Sequence, residues 1–434
     1  MKQHPLKIAS LGIQHVLAMY AGAVIVPLII GGALKFSGEQ LTYLVSIDIL
    51  MCGIATILQV WQNRFFGVGL PIVLGCTFTA VGPIISIGSQ YGISSIYGSI
   101  LISGLIVVLI SQFFGKLIKF FPPVVTGSVV TIIGITLIPV AMNNMAGGQG
   151  SPEFGSISNI SLAFGTLLFI ILLYRFTKGF IRSISILLGL VAGTIASSLL
   201  GKVNFAAVTD ASWFHMVKPF YFGTPSFELT PIITMTLVAI VSLVESTGVY
   251  LALSDITGKK LTEEDLSRGY RAEGIASILG ALFNAFPYTT YSQNVGLVQL
   301  SGVKGKNVIY TMGGILVVLG FVPKIGAFTT VIPTPVLGGA MVAMFGMVIA
   351  YGIKMLSKVE FASQENLLII ACSVGMGLGV TAVPDLFTHL PESIKILTNN
   401  GIVAGSFTAI FLNIIFNVVK PSKQQQANTT LKAS

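Results

Sequence analysis

Tyr288-Thr-Thr-Tyr-Ser-Gln-Asn-Val-Gly-Leu-Val-Gln-Leu-Ser-Gly302 is apolar enough to enter a bilayer, yet it carries adjacent amides at Gln293 and Asn294, several hydroxyls and two glycines, with Pro287 just before it. Unpaired amides are costly in hydrocarbon, so this mixture does not suit a lipid-facing helix. Polar residues and helix breakers at membrane depth line protected cavities. The segment therefore predicts a membrane fold and a small-molecule site inside it.

Composition agrees. Of the 434 residues, 53% are hydrophobic and only 9% charged, against about 25% charged in a soluble domain. A mean hydropathy of +0.89 and repeated apolar runs of about 20 residues predict an all-α polytopic membrane protein. The longest polar stretches are loops, so one membrane domain is expected over 1–420, with a polar cytoplasmic tail from Pro421 to Ser434. The net charge of +9 does not argue for nucleic acid, because the 24 Lys and Arg are scattered through short loops and the termini. Cys52, Cys76 and Cys372 lie in apolar segments, are odd in number and lack metal-ligand spacing. They read as packing residues. No cleavable signal is apparent in the long first apolar run.

Fourteen membrane segments are expected, near 8–33, 41–61, 67–86, 93–115, 123–141, 158–176, 181–200, 230–252, 272–286, 288–303, 307–323, 331–353, 364–383 and 398–419. With the N-terminus inside, 19 of the 24 Lys and Arg fall on the cytoplasmic side, leaving Lys35, Lys202, Lys218, Lys324 and Lys395 outside. One miscounted span would scramble that bias, so it favours fourteen with both termini cytoplasmic.

Two halves are visible. Gly104-Leu-Ile-Val-Val-Leu109 recurs as Gly314-Ile-Leu-Val-Val-Leu319, and Pro123-Val-Val-Thr-Gly127 with Gly134 recurs as Pro335-Val-Leu-Gly-Gly339 with Gly346. Seven spans is an odd number, so the second half enters from the opposite side, as in many secondary transporters. Their sites lie at interrupted segments in matching places. Here those are Gly67-Val-Gly-Leu-Pro71-Ile-Val-Leu-Gly75-Cys-Thr-Phe78-Thr79 and the stretch from Phe286-Pro287 to Ser301. Proline and glycine should free backbone groups there, and a polar ligand can satisfy some of them.

Few ionisable residues fall within spans. Glu245 lies deep in the eighth, Glu273 begins the ninth, Asp48 is in the second and His15 in the first. A carboxylate at membrane depth points to substrate contact or proton transfer. The competing reading for Glu273 is a loop-edge pair with Arg268 or Arg271. For Asp48 we favour a hydrogen bond between helices or a place near the membrane interface. His15 reads as a core or site-supporting histidine. Phe78, inside the interrupted third span, is a candidate ring-stacking platform. No phosphate loop, metal-ligand spacing or nucleophile triad appears, so an enzyme is not expected. A receptor reading lacks any ligand or signalling domain.

Gln293-Asn294-Val-Gly296-Leu-Val-Gln-Leu-Ser301-Gly302 resembles the signature of the nucleobase–ascorbate transporters. Gln14-His15 is similar to that family's Gln-His motif. Glu245 fits its eighth-span glutamate, and Glu273 stands where many members carry an acidic residue. Ser301 replaces the usual threonine and keeps the hydroxyl. Glu273 replaces the aspartate common in the purine branch. The resemblance covers the whole chain and leans toward bacterial xanthine permeases.

It implies a core domain of spans 1–4 and 8–11 (about 8–115 and 230–323) and a gate domain of spans 5–7 and 12–14 (about 123–200 and 331–419). It also implies short β-strands in spans 3 and 10, a homodimer in the plasma membrane and proton symport, the proton being the coupling ion and no other cofactor needed. Glu245, Gln293, Phe78, Thr79 and Asn294 are then the expected substrate contacts. Glu273, Glu245 and His15 are the candidates for proton coupling. Uracil-specific relatives tend to carry glutamate at the Gln293 position, so Gln293 tilts the expectation toward a purine, xanthine first. Urate, guanine or uracil remain alternatives. An anion transporter on a similar fold is another, although the tenth span has no Lys or Arg before Lys304.

Overall fold

The computed structural model describes residues 5–114, 120–302, 304–391, 395, 398 and 400–419, without the side chains of Phe114, Gln293, Leu300 and Ser301. The expected tail, Pro421 to Ser434, lies outside the described residues.

The chain opens with α1 (Pro5–Ala33) and α2 (Gly38–Val60). Ser37 and Gln40 form a capping box that starts α2, each satisfying a backbone N–H of the other. The third segment does not continue as a helix. Gly67 and Gly69 take φ of 90° and 69°, a left-handed backbone that disfavours other residues. Pro71 follows, and the chain extends into β1 (Leu74–Cys76). A single 3-10 turn, Phe78–Ala80, leads into α3 (Val81–Tyr91), and then α4 (Ile93–Phe114).

The next group is α5 (Pro123–Met145), α6 (Ile157–Phe176), the short α7 (Gly179–Ser183), α8 (Ser185–Leu199) and the short α9 (Ala206–Asp210). Then come α10 (Leu229–Thr257) and α11 (Glu263–Leu282), β2 (Tyr288–Thr290), α12 (Ser292–Ser301), α13 (Lys306–Gly320) and α14 (Pro323–Thr330). The series closes with α15 (Thr334–Leu356), α16 (Gln364–Ala382) and α17 (Gly401–Asn413).

Among the described residues, nine helices are long and apolar enough to cross a membrane, or ten if α13 and α14, bent by 82°, form one span. The expected fourteen is not reached on length and composition. The third and tenth segments are split by Pro71 and Pro287 into a strand and a short helix. Helix α8 has only 15 residues, and α11 opens on Glu263, Glu264 and Asp265.

The two strands pair antiparallel, with Leu74 opposite Thr290, Gly75 opposite Thr289 and Cys76 opposite Tyr288. Thr77 N–H donates to Pro287 O at 2.9 Å and Tyr291 N–H to Val73 O at 2.9 Å, extending the ladder by a bond at each end. Backbone polar groups freed by the broken helices thus find each other, as a low-dielectric interior demands. Gly75 is required by the crossing, because a Cβ there would collide with the ring of Tyr291. Helices α3 and α12 start close behind the two strands.

Packing falls into two sets. Helix α2 lies against α13, α14, α11 and α1, while α4 lies against α11 and α10. Elsewhere α15 packs along α5, α6 and α8, and α16 and α17 pack on each other and on α5. The α5–α15 contact is close because of glycine: a Cβ at Gly134 would sit 2.9 Å from Ile349 N. These two helices carry the repeated Pro and Gly spacing.

The long connection from α9 to α10 is fastened to the first set by rings and hydrogen bonds. Tyr43 stacks on Tyr221 at 3.8 Å and Phe36 on Phe222 at 5.0 Å, and Lys324 Nζ lies 4.9 Å above the Trp213 ring.

At the start of α11, Thr262 and Asp265 form a second capping box, and Arg268 bonds Asp265 at 2.7 Å. Burial would raise the Asp265 carboxyl, but hydrogen bonds from Thr262 and Arg268 and the charge of Lys259 outweigh it and hold the group below the usual range.

Candidate substrate site

The crossed strands position the site. Leaving β1, the Thr77 hydroxyl accepts the Thr79 N–H at 3.2 Å and fixes the turn that carries Phe78 and Thr79. Phe78 is buried, edge-on to Phe345 of α15 at 5.6 Å and 6.2 Å from the Tyr291 ring. The fully buried Thr79 hydroxyl sits beside the Glu245 carboxylate but makes no hydrogen bond of acceptable geometry. Glu245 itself is half-buried.

Asn294 occupies the first turn of α12. Its Nδ2 lies 3.3 Å from His15 Nδ1, so the amide donates to an imidazole whose Nδ1 is unprotonated. Asn294 Oδ1 is buried and has no partner. An unsatisfied buried polar atom costs about 1–3 kcal/mol. The site thus holds orphaned polar atoms, among them Thr79 Oγ1, Asn294 Oδ1 and the Tyr291 hydroxyl. The Gln293 side chain lies outside the described residues; its backbone belongs to the same turn.

Glu273 is placed differently. It is buried and does not pair with Arg268 or Arg271. Arg268 binds Asp265 and Glu264, and Arg271 Nε donates to Ser111 Oγ at 3.0 Å. Glu273 instead accepts hydrogen bonds from Tyr250 OH and, at 3.0 Å, from Ser246 Oγ. Gln59 Nε2 in turn donates to Tyr250 OH. Asp48 sits behind the strands, accepting from Tyr288 OH at 3.1 Å and from Cys52 Sγ at 3.8 Å. It bonds a helix to a strand, where a bond between helices was expected. Cys52 and Cys76 are buried and free, and among the described residues no cluster could hold a metal ion.

Composition and spacing did not single out Ser246, Tyr250, Gln59 or Tyr291. A signal existed for the first: Ser246 and Thr247 follow Glu245 directly, three polar residues in an apolar helix.

One turn beyond Glu245, Gly248 begins a stripe with Ala252 and Asp255 along one wall of a cavity of about 560 Å³. Other walls come from α12, through Val295 and Gly296, from α15, through Tyr351 and Met355, and from Thr126 of α5 and Tyr174 of α6. That volume suits a small-molecule path. A larger cavity of about 750 Å³ lies by the start of α2, the 207–221 connection and Pro323 of α14.

Phe78→Ala is expected to raise the transport KM about fivefold, the loss of roughly 1 kcal/mol of ring contact. Unchanged KM at normal expression would return Phe78 to packing alone.

The model of a permease family (Xan_ur_permease) matches residues 6–386. A xanthine permease of Bacillus subtilis is 68% identical over 425 residues, covering 98% of this chain and 97% of the relative. The uric acid permease PucK of the same organism is 64% identical over 422 residues, covering 97% and 98%. Among solved structures, the transmembrane domain of the cyanobacterium bicarbonate transporter BicA superposes with a TM-score of 0.62 at 15% identity, covering 88% of this chain and 98% of that one. At that identity the likeness concerns the fold alone.

Proposed function

The chain belongs to the permease family, that of the nucleobase–ascorbate transporters it resembles, and from this we propose that it is a proton-coupled symporter importing a purine nucleobase, xanthine first, across the plasma membrane. It is a transporter and not an enzyme. The observation that carries the site assignment is the pair of orphaned polar atoms, Thr79 Oγ1 beside Glu245 and Asn294 Oδ1 on α12. A purine edge alternates N–H donors with carbonyl acceptors. The Glu245 carboxylate accepts two adjacent ring N–H groups as charge-assisted bonds. The Thr79 hydroxyl donates to a carbonyl, Asn294 Oδ1 accepts from a ring N–H, and the Gln293 amide offers one donor and one acceptor. Phe78 covers a ring face.

Fourteen segments in two inverted halves complete this reading. Helices α1–α4 and α10–α13 form a core that slides against a gate of α5, α6, α8 and α15–α17, with both termini cytoplasmic and two copies per transporter. The cavity beside Gly248 is then the cytoplasmic path. A transporter of inorganic anions is disfavoured, because no Lys or Arg lies between Tyr288 and Gly302.

Uptake of radiolabelled xanthine by cells lacking their own purine carriers tests the proposal. Uptake should rise with an inward proton gradient and fall when unlabelled xanthine competes. Urate transport with no xanthine transport would move the substrate to uric acid, as the name of PucK suggests for that relative. No uptake of any nucleobase by correctly inserted protein would overturn the reading.

A further inference from the structure

We propose that Ser246 is a positioning residue that passes the protonation state of Glu273 to strand β2, and so to the substrate site. The inference rests on the symporter reading above and adds a route by which proton and substrate communicate.

The Ser246 hydroxyl is fully buried and has an unusual surplus of neighbours. It donates to Glu273 Oε2 at 3.0 Å. It lies 3.0 Å from Thr289 Oγ1, where either oxygen can donate. It also faces Thr290 N–H at 3.4 Å and the Thr290 hydroxyl at 3.2 Å. A hydroxyl has one proton and two lone pairs. It cannot serve all four neighbours at once, so the state of one decides its bonding to the rest.

An ionised carboxylate only accepts. With Glu273 ionised, the single Ser246 proton is committed to it, and Thr289 and Thr290 donate into the serine lone pairs. A protonated carboxyl can donate. The Glu273 proton then points at Ser246 Oγ, and the serine proton is released to Thr289 Oγ1. The Thr289 proton turns to Ser242 O, which lies 3.5 Å away. The carboxyl now fills the serine lone pair that Thr289 has vacated, and Thr290 keeps the other. No atom needs to travel far, but the Ser246–Thr289 bond that joins α10 to β2 reverses its direction.

Strand β2 is well placed to use that change. It pairs with β1, which runs directly into Phe78 and Thr79, and it is followed at once by the turn of α12 that carries Asn294. Ser246 also adjoins Glu245 in the chain.

The groups that face Glu273 set the frame. From α10 come Tyr250, which bonds Oε1, and the nearby charge of Glu245. From α2 comes Gln59, which reaches Tyr250 OH. On its own helix, Tyr270 is held at 2.6 Å from Thr247 Oγ1 and Arg271 is turned to Ser111. Beyond β2, Tyr288 is bonded to Asp48. Ser246 touches both the carboxylate and the strand.

The test is equilibrium xanthine binding to purified, reconstituted full-length protein across pH, for the parent, Ser246→Ala, Ser246→Thr and Thr289→Val. We expect parent affinity to change about fivefold between about pH 5.5 and about pH 8, one hydrogen bond's worth. Ser246→Ala and Thr289→Val should each flatten that profile to about twofold or less. Ser246→Thr, which keeps the hydroxyl, should restore it, an outcome that loss of packing would not give. A parent pH profile retained in Ser246→Ala or Thr289→Val overturns the inference and leaves the symporter reading standing, as does gradient-driven uptake by a parent whose binding ignores pH. Should Ser246→Ala fail to fold, Thr289→Val and Ser246→Thr decide alone. A parent that neither binds nor transports any nucleobase removes the symporter reading itself.

Discussion

Glu245→Gln is expected to weaken xanthine binding by on the order of 100-fold, about 3 kcal/mol. The amide is nearly isosteric with the carboxylate, so packing in α10 is kept. One acceptor oxygen becomes an NH₂ donor, however, and it would oppose a ring N–H of the substrate. Two donors facing each other in a buried site leave both unsatisfied, and the charge-assisted contact is lost as well. Equilibrium binding to purified protein reads the effect without the complication of turnover. Parent-like affinity in correctly inserted Glu245→Gln would sink the direct-contact geometry.

Glu273→Gln should separate binding from coupling. Glu273 touches Ser246 and Tyr250 and is buried behind the strands, so its replacement need not disturb a substrate contact. It does remove a group that can take up and release a proton. Gradient-driven accumulation in proteoliposomes should fall to the level of passive equilibration, while xanthine binding stays detectable and exchange of pre-loaded substrate continues. If Glu273→Gln still concentrates xanthine in response to the gradient, the coupling proton resides on Glu245 or involves His15. Taken with Glu245→Gln, the two variants assign binding and coupling to different carboxylates by two different measurements.

Much of this arrangement can be read in the chain because it breaks rules. Pro71 and Pro287, each flanked by glycine or polar residues in an apolar stretch, announce that a helix cannot continue. What replaces the helix is harder to read from the residues. Strands of three residues are too short to show alternation, and their pairing depends on a partner some two hundred residues away.

Buried ionisable groups are equally conspicuous, since each is one odd residue in a hydrocarbon-like run. Their partners are not. A serine or threonine in such a helix ordinarily bonds the carbonyl four residues back, as Ser128 does to Val124 O and Thr247 to Leu243 O. Nothing local tells that Ser246 turns to Glu273, or that Tyr250 and Gln59 complete a chain behind it. Such choices are made by tertiary geometry. The span count diverges from the expected fourteen at such places: α8 is short and α11 begins with three acids, so neither is among the nine or ten described helices long and apolar enough to cross a membrane.

The pairing of Leu74–Cys76 with Tyr288–Thr290 has a consequence for biosynthesis. A ribosome makes β1 long before β2. Until the later strand emerges and inserts, the nascent chain holds β1 without its partner, and its amides and carbonyls must borrow other acceptors and donors or stay hydrated. Closing so large a loop is slow relative to local helix formation. The proposed substrate site is therefore among the last features of the molecule to exist, and a chain stopped before Tyr288 should exchange the Leu74–Cys76 amide hydrogens freely where the finished protein protects them. Quality control that senses unpaired backbone within the bilayer would have its longest opportunity during the synthesis of α3 to α11.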